Sequence, residues 1–345
     1  MTKLESTANE NRFLGALLGM AIGDALGMPV TGLTKQEIGE RFGNIDGFMS
    51  VERQSPPGAK AGEFTDETEV VLCIVESMTT NEGEVDPDNI GARLQYLSHG
   101  ESRKWLPRAT LDALSQADDD GLYRVPLDED GPASGDVAAR GVPIGLMAAV
   151  GEFDAVWLRG ASEAVCRLTH GSPAAIAATT AVAFGVNLAA RDIAPDRWIG
   201  ETATFLENGE LAERLRLAAD KGYGAPRSDL LSEMGSGSDA CHSVVWAFVV
   251  ASIATSFESA VFEAVQAGGT TDTAGAIAGA LAGARFGASG IPQRLIDDLE
   301  GRIYVSLAAP WFYRTALYRS GLAGNPSPTA GQDSPPERPA FPPRQ

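Results

Sequence analysis

Apolar positions recur with a helical period along most of this chain, and on two of the apolar faces glycine replaces the bulky side chains. Residues 12–27 read RFLGALLGMAIGDALG, an apolar helix with glycines at 15, 19, 23 and 27. Residues 268–287 open on small hydroxyl residues and one carboxylate, then run into a second apolar helix with glycines at 275, 279, 283 and 287. A glycine inside a helix costs roughly 1 kcal/mol relative to alanine, so such runs require a compensating gain. A spacing of four places each set on one helix face, where missing side chains let another backbone come close. Two ridges of equal spacing suggest that these helices meet each other. In the competing arrangement each ridge packs against some other helix.

The same periodicity predicts helices over 35–42, after Thr68, after Pro87 to near Gly100, and after Pro107. Further helices are predicted over 137–150, 155–169, 173–191, 195–207, 210–221, 240–255, 257–267, 274–286 and 292–319. Pro173 and Pro195 stand where helix starts tolerate proline, and Ser172 suits a cap. No stretch alternates as a strand would. The linkers within 11–320 are too short to separate domains, so one all-α domain is expected, a compact orthogonal bundle of many helices. A flexible stretch is expected over 1–10, and a disordered tail over 321–345, where seven prolines fall with hardly an apolar cluster. Residues 117–136 form an acidic loop punctuated by glycine and proline.

Composition narrows the function classes. Of 345 residues 44% are apolar, enough for a large core, and the net charge is −19. That charge disfavours nucleic acid and anionic membranes as partners and favours divalent cations. No uninterrupted apolar run approaches a membrane span of about 20 residues. Cys73, Cys166 and Cys241 are scattered and odd in number, which predicts reduced thiols and a cytoplasmic protein.

Oxygen-bearing side chains cluster at two helix entrances, Thr65-Asp66-Glu67-Thr68 and Thr270-Thr271-Asp272-Thr273. Hard divalent cations take ligands of this kind, and Thr65, Asp66, Glu67, Asp272 and Thr273 would supply them from two distant segments. A plainer reading stands beside this one. Asp66 with Glu69 satisfies a capping box, and Thr271 or Asp272 an ordinary N-cap. His242 beside Cys241 has no partner ligands at zinc spacing and reads as core or cap. Asp24 reads as a structural hydrogen-bonding residue more readily than as a ligand.

Together, RFLGALLGMAIGDALG, GEFTDETEVVLCIVES, LTHGSP and AGGTTDTAGAIAGALAGARFG resemble the ADP-ribosylglycohydrolase family, in matching order over residues 11–315. The resemblance implies an all-α fold and a Mg²⁺ or Mn²⁺ centre between two acidic motifs. It also implies hydrolysis of the bond between ADP-ribose and a side chain, most readily arginine, of a protein or a small conjugate. By motif, Thr65, Asp66 and Glu67 fall on the first metal site and Asp272 and Thr273 on the second, with Asp66 or Glu67 as the acid/base. His170 falls near the substrate pocket, and Ser134 and Gly135 on a substrate loop.

Three positions depart from the family pattern. Glu67 stands for the second Asp of Thr-Asp-Asp-Thr, Thr270 for the first Asp of the Asp-Thr-Asp motif, and Thr31 for a Glu after Gly-Asp-Ala-Leu-Gly. Asp66, Glu67 and Asp272 bring three negative charges against the four positive charges of two divalent ions. One tightly held cation is therefore expected, with a second weak or absent without substrate. The same departures suit an alternative, a weak or inactive ADP-ribose-binding protein, and a further one, a hydrolase of a different ribosyl glycoside. The sequence leaves the oligomeric state open.

Overall fold

A computed structural model of the chain describes residues 8–49, 59–120, 122–131, 135–221 and 240–324. Among them the helices are α1 (Glu10–Gly27), α2 (Lys35–Phe42), α3 (Asp66–Thr80), α4 (Pro87–His99), α5 (Arg108–Asp120), α6 (Gly141–Ala148), α7 (Ala155–Cys166) and α8 (Pro173–Ala190). They continue as α9 (Pro195–Leu206), α10 (Glu210–Lys221), α11 (Ala240–Ile253), α12 (Phe257–Gln266), α13 (Thr271–Phe286), α14 (Gln293–Asp297) and α15 (Arg302–Arg319). The described residues form no strand; the one β-type contact is a bridge between Thr34 and Gly268. The all-α reading holds.

α1 and α13 lie antiparallel at the centre, ridge against ridge. A Cβ added to Gly19 would sit 2.2 Å from the Gly279 carbonyl oxygen, and one added to Gly23 would sit 1.9 Å from that of Gly275. The relation is reciprocal, since a Cβ added to Gly283 would sit 1.9 Å from the Gly15 carbonyl oxygen. Carbon cannot occupy those positions, so the backbones touch directly and dispersion between them is gained along four turns. α8, α11 and α12 pack around α13, and one core of Ala, Val, Leu and Phe side chains joins them. Arg12, at the start of α1, donates to the carbonyls of Ala189 and Ala284, each at 3.0 Å. It thus closes the ends of α8 and α13, where a cation is favoured.

Local chemistry sets most boundaries. Thr34 and Glu37 make a capping box on α2, and the Ser172 hydroxyl accepts from the Ala175 amide at 3.3 Å as expected. Four expectations need correction. α5 runs to Asp120, into the stretch 117–136 expected as loop. The 137–150 helix begins as a 3₁₀ turn, Asp136–Arg140, before α6. The 292–319 helix is broken, because Gly301 takes φ 71° and the Glu300 amide turns away to the Gly62 carbonyl at 2.9 Å. The membrane argument also changes. Residues 10–30 and α8 are long and apolar enough to cross a membrane on mean hydropathy, which tolerates the interruptions that a count of unbroken apolar residues does not. Both are core helices here, with 94% and 78% of their apolar windows buried.

The glycine ridge gives a paired stability test. Gly19→Ala should destabilise the protein by about 3 kcal/mol or prevent folding, as overpacking against backbone does. Gly200→Ala in α9, where an added Cβ meets nothing within 4 Å, should stabilise by about 0.5 kcal/mol. Denaturant unfolding of the two variants checks this; equal effects would refute the direct backbone contact.

Candidate active site

The antiparallel pairing brings the C-terminus of α1 to the N-terminus of α13, and the acidic site is assembled there. The Thr271 hydroxyl donates to the Gly27 carbonyl at 2.7 Å. Beyond it the two chain segments exchange amides, Gly32 to the Gly269 carbonyl at 2.8 Å and Gly269 to the Leu33 carbonyl at 2.9 Å. Gly268 and Gly269 hold φ of 81° and 84°, a conformation that suits glycine and lets the turn enter α13.

Asp24, in the last turn of α1, is fully buried. Its Oδ2 accepts from the Thr65 amide at 3.0 Å, the Thr68 amide at 3.3 Å and the Thr68 hydroxyl at 2.6 Å. One carboxylate oxygen therefore fixes the first turn of α3, while the other, Oδ1, is buried without a hydrogen-bond partner. Thr65 is the N-cap of α3, its hydroxyl accepting from the Glu67 amide. The capping box of Asp66 with Glu69 does not form; Glu69 accepts instead from the Ser102 hydroxyl at 2.7 Å. At α13 the N-cap position is Thr270, which makes no side-chain cap. Asp272 Oδ1 accepts from the Thr273 amide at 2.9 Å and the Thr31 hydroxyl at 2.8 Å. Finally, the Thr273 hydroxyl donates to Glu67 Oε1 and ties the two acidic motifs together.

The field at this junction is strongly negative. Asp24, Asp66 and Glu67 are buried, and Asp272 is half-buried. Burial pushes all four carboxyls above their usual range. Mutual repulsion adds to this, foremost from Asp136 on Asp66 and from Asp272 on Glu67, and Asp24 reaches about 7. The compensating cation is Arg140, buried at the end of the 3₁₀ turn and donating to the Val165 carbonyl at 3.2 Å. That turn packs on α3, α8 and α13. His170 is buried with the Thr169 hydroxyl 2.8 Å from its Nδ1. Burial first, and then Arg140, pushes it down to about 4, so it is uncharged at neutral pH.

Thr65, Asp66, Glu67, Asp272 and Thr273 are thus brought to one junction. His170 and Gly135 adjoin it through the 3₁₀ turn, since Gly135 caps that turn and His170 interacts with its Arg140 and Asp136. Ser134 lies outside the described residues. Sequence reasoning missed Arg140, although an arginine inside the apolar run 137–150 is a signal, because a buried charge requires partners. It also missed Ser243, whose hydroxyl shares a 2.5 Å hydrogen bond with that of Thr270. His242 sits 2.9 Å from an Arg214 guanidinium nitrogen, which excludes a zinc-ligand geometry for that nitrogen.

A divalent cation fits this set of donors. Asp24 Oδ1 and Glu67 Oε2 are buried with no hydrogen-bond partner, and a buried carboxylate oxygen without a donor is costly. Hard oxygens dominate the set, as Mg²⁺ and Mn²⁺ require. Among the described residues no three His, Cys, Asp or Glu side chains already stand as a metal cage. A cation would therefore draw on threonine hydroxyls and water as well as on carboxylates. Three cavities among the described residues, of about 710, 720 and 410 Å³, are lined by residues other than those of the junction.

An all-α fold with two acidic motifs joined at helix N-termini defines the class of protein. The sequence pattern of the ADP-ribosylglycohydrolase family matches residues 5–321. A protein of Archaeoglobus fulgidus without assigned function is 31% identical over 88% of this chain and 96% of its own. The ADP-ribosyl-dinitrogen reductase glycohydrolase of Rhodospirillum rubrum is 27% identical over 85% of this chain and 92% of its own. A solved structure titled ADP-ribosylglycohydrolase-related protein complex superposes with a TM-score of 0.69 at 28% identity, covering 89% of this chain and 98% of the other. The chain belongs to the ADP-ribosylglycohydrolase family.

The raised Asp24 carboxyl yields a pH test. Its folded value near 7 lies above the ordinary 3.8, so the folded state holds a proton that the unfolded state releases. Its contribution to stability is present at acid pH and lost as pH rises through about 7. In EDTA the thermal midpoint should fall across this window, and the fall should shrink in Asp24→Asn. An unchanged slope in the variant would exclude Asp24 as its source.

Proposed function

We propose that this protein hydrolyses the glycosidic bond between ADP-ribose and arginine, on modified proteins or small ADP-ribosyl conjugates, with a divalent cation as cofactor. The observation that carries the reading is the bond from Thr273 to Glu67, which joins two acidic motifs 206 residues apart and leaves Glu67 Oε2 buried without a donor. Thr65, Asp66, Glu67, Asp272 and Thr273 would hold Mg²⁺ or Mn²⁺, one ion tightly and a second weakly. When bound, the cation would polarise substrate hydroxyls and attacking water as a Lewis acid.

The chain's own groups would do the rest. Asp66 or Glu67 takes the proton from the attacking water, and burial with mutual repulsion makes either carboxylate a stronger base than usual. Departure of the guanidine leaves positive charge on the ribose, which the surrounding carboxylates stabilise. Ser134 and Gly135 would offer backbone amides to the diphosphate, and uncharged His170 would border the pocket. Buried cysteines that form no disulfide, Cys73, Cys166 and Cys241, support a cytoplasmic setting.

A second reading, an ADP-ribose-binding protein with little turnover, is favoured by one specific contact. Thr270 spends its hydroxyl on Ser243 and brings no charge to the second motif. The deciding assay measures ADP-ribose released from ADP-ribosylarginine with Mg²⁺. Turnover abolished by EDTA and reduced roughly 100-fold or more in Glu67→Gln is the expected result. ADP-ribose binding without turnover favours the second reading; neither binding nor turnover points to a different ribosyl glycoside. Thr270→Asp should tighten Mg²⁺ binding in calorimetry, and unchanged affinity would refute the role given to that position.

A further inference from the structure

α3 has a second face. Asp66 and Glu67 stand at the acidic junction, whereas Glu69, Leu72, Cys73 and Glu76 line a cavity of about 720 Å³ between α3, α4 and the start of α15. This volume is in the range of small-molecule sites. Phe64, Leu97, Tyr96 and Tyr304 give it an aromatic and aliphatic wall. Tyr96 is 81% exposed and Tyr304 43%, so two large rings are kept at its mouth in water.

The charges in this wall are unequally satisfied. Arg93 pairs with Glu76 and also donates to Asn89 at 3.0 Å, so those charges cancel. Glu69 accepts from the Ser102 hydroxyl through Oε1, but its Oε2 is buried with no hydrogen-bond partner. Lys104, the cation whose charge acts on Glu69, is held by Glu63 at 2.8 Å. Glu69 lines this largely apolar, tyrosine-rimmed cavity with one carboxylate oxygen lacking a donor, which suits a donor carried on an apolar body. A cation also gains from the ring faces.

We propose that this cavity is a binding site, separate from the acidic junction, for a small organic cation with an aromatic or alkyl body, whose ammonium or guanidinium group pairs with Glu69. It makes no use of the junction residues and stands whether or not the hydrolase reading does.

Calorimetric titration of the full chain with benzylamine, and with benzyl alcohol as its neutral counterpart, tests this. Benzylamine should bind roughly tenfold or more tightly than the alcohol, the margin of a charge-assisted hydrogen bond. Glu69→Gln should remove that margin. Ala92→Trp, at an exposed position of the same wall, should block both ligands without lowering the thermal midpoint. Neither variant should alter release of ADP-ribose from ADP-ribosylarginine or binding of Mg²⁺. Equal binding of amine and alcohol, no binding of either, or unchanged amine affinity in Glu69→Gln would overturn the proposal.

Discussion

Direct backbone contact between α1 and α13 is the constraint on which the rest of the structure depends. Seven ridge glycines within the two helices carry a summed helix-propensity cost of several kcal/mol, and close packing between the two backbones must offset it. The contact also fixes register. Because Gly15 meets Gly283, Gly19 meets Gly279 and Gly23 meets Gly275, the two helices cannot slide by a turn without losing the match at an end. With register fixed, Asp24 and Thr31 on one strand of the pair must stand beside Thr271 and Asp272 on the other.

Asp24 then transmits this rigidity to the third element. A carboxylate at the end of one helix accepts from the first turn of another, where unsatisfied amides and positive helix charge favour it. It satisfies three donors with a single oxygen, so α3 enters the site at a fixed angle. The cap of α3 is thereby left to Thr65 and Asp24, and Asp66 and Glu67 need not serve it. That division of labour is why two carboxylates at a helix N-terminus remain available for chemistry.

Much of this was legible in the sequence. Helical periodicity placed nearly every described helix, because long amphipathic or apolar repeats are strong signals. The equal glycine spacing pointed to the α1–α13 contact, although periodicity alone could not choose between direct pairing and separate partners. The capping box that Asp66 and Glu69 would make does not form for a physical reason: the spacing is right, but Asp24 and Ser102, distant in sequence, compete for the same groups. Tertiary contacts likewise broke the last long helix at Gly301, where the Glu300 amide finds the Gly62 carbonyl. Arg140 is not legible from motifs, because it stands alone in an apolar stretch far in sequence from the carboxylates it offsets.

The departures from the family pattern look different once the hydrogen bonds are known. Thr31 and Thr270 each stand where the resemblance leads to a carboxylate, and each makes a short bond, to Asp272 and to Ser243. A hydroxyl can both donate and accept, so these contacts keep the turn into α13 in place without adding charge. Four carboxyls already repel one another here, with Arg140 as the compensating cation. Two further carboxylates, at exposed position 31 and half-buried position 270, would add to that repulsion. The threonines therefore let the junction keep its shape with less dependence on bound cations. The same exchange weakens the attraction for a second ion, so stability of the metal-free fold and charge at the site are set against each other at the same two residues.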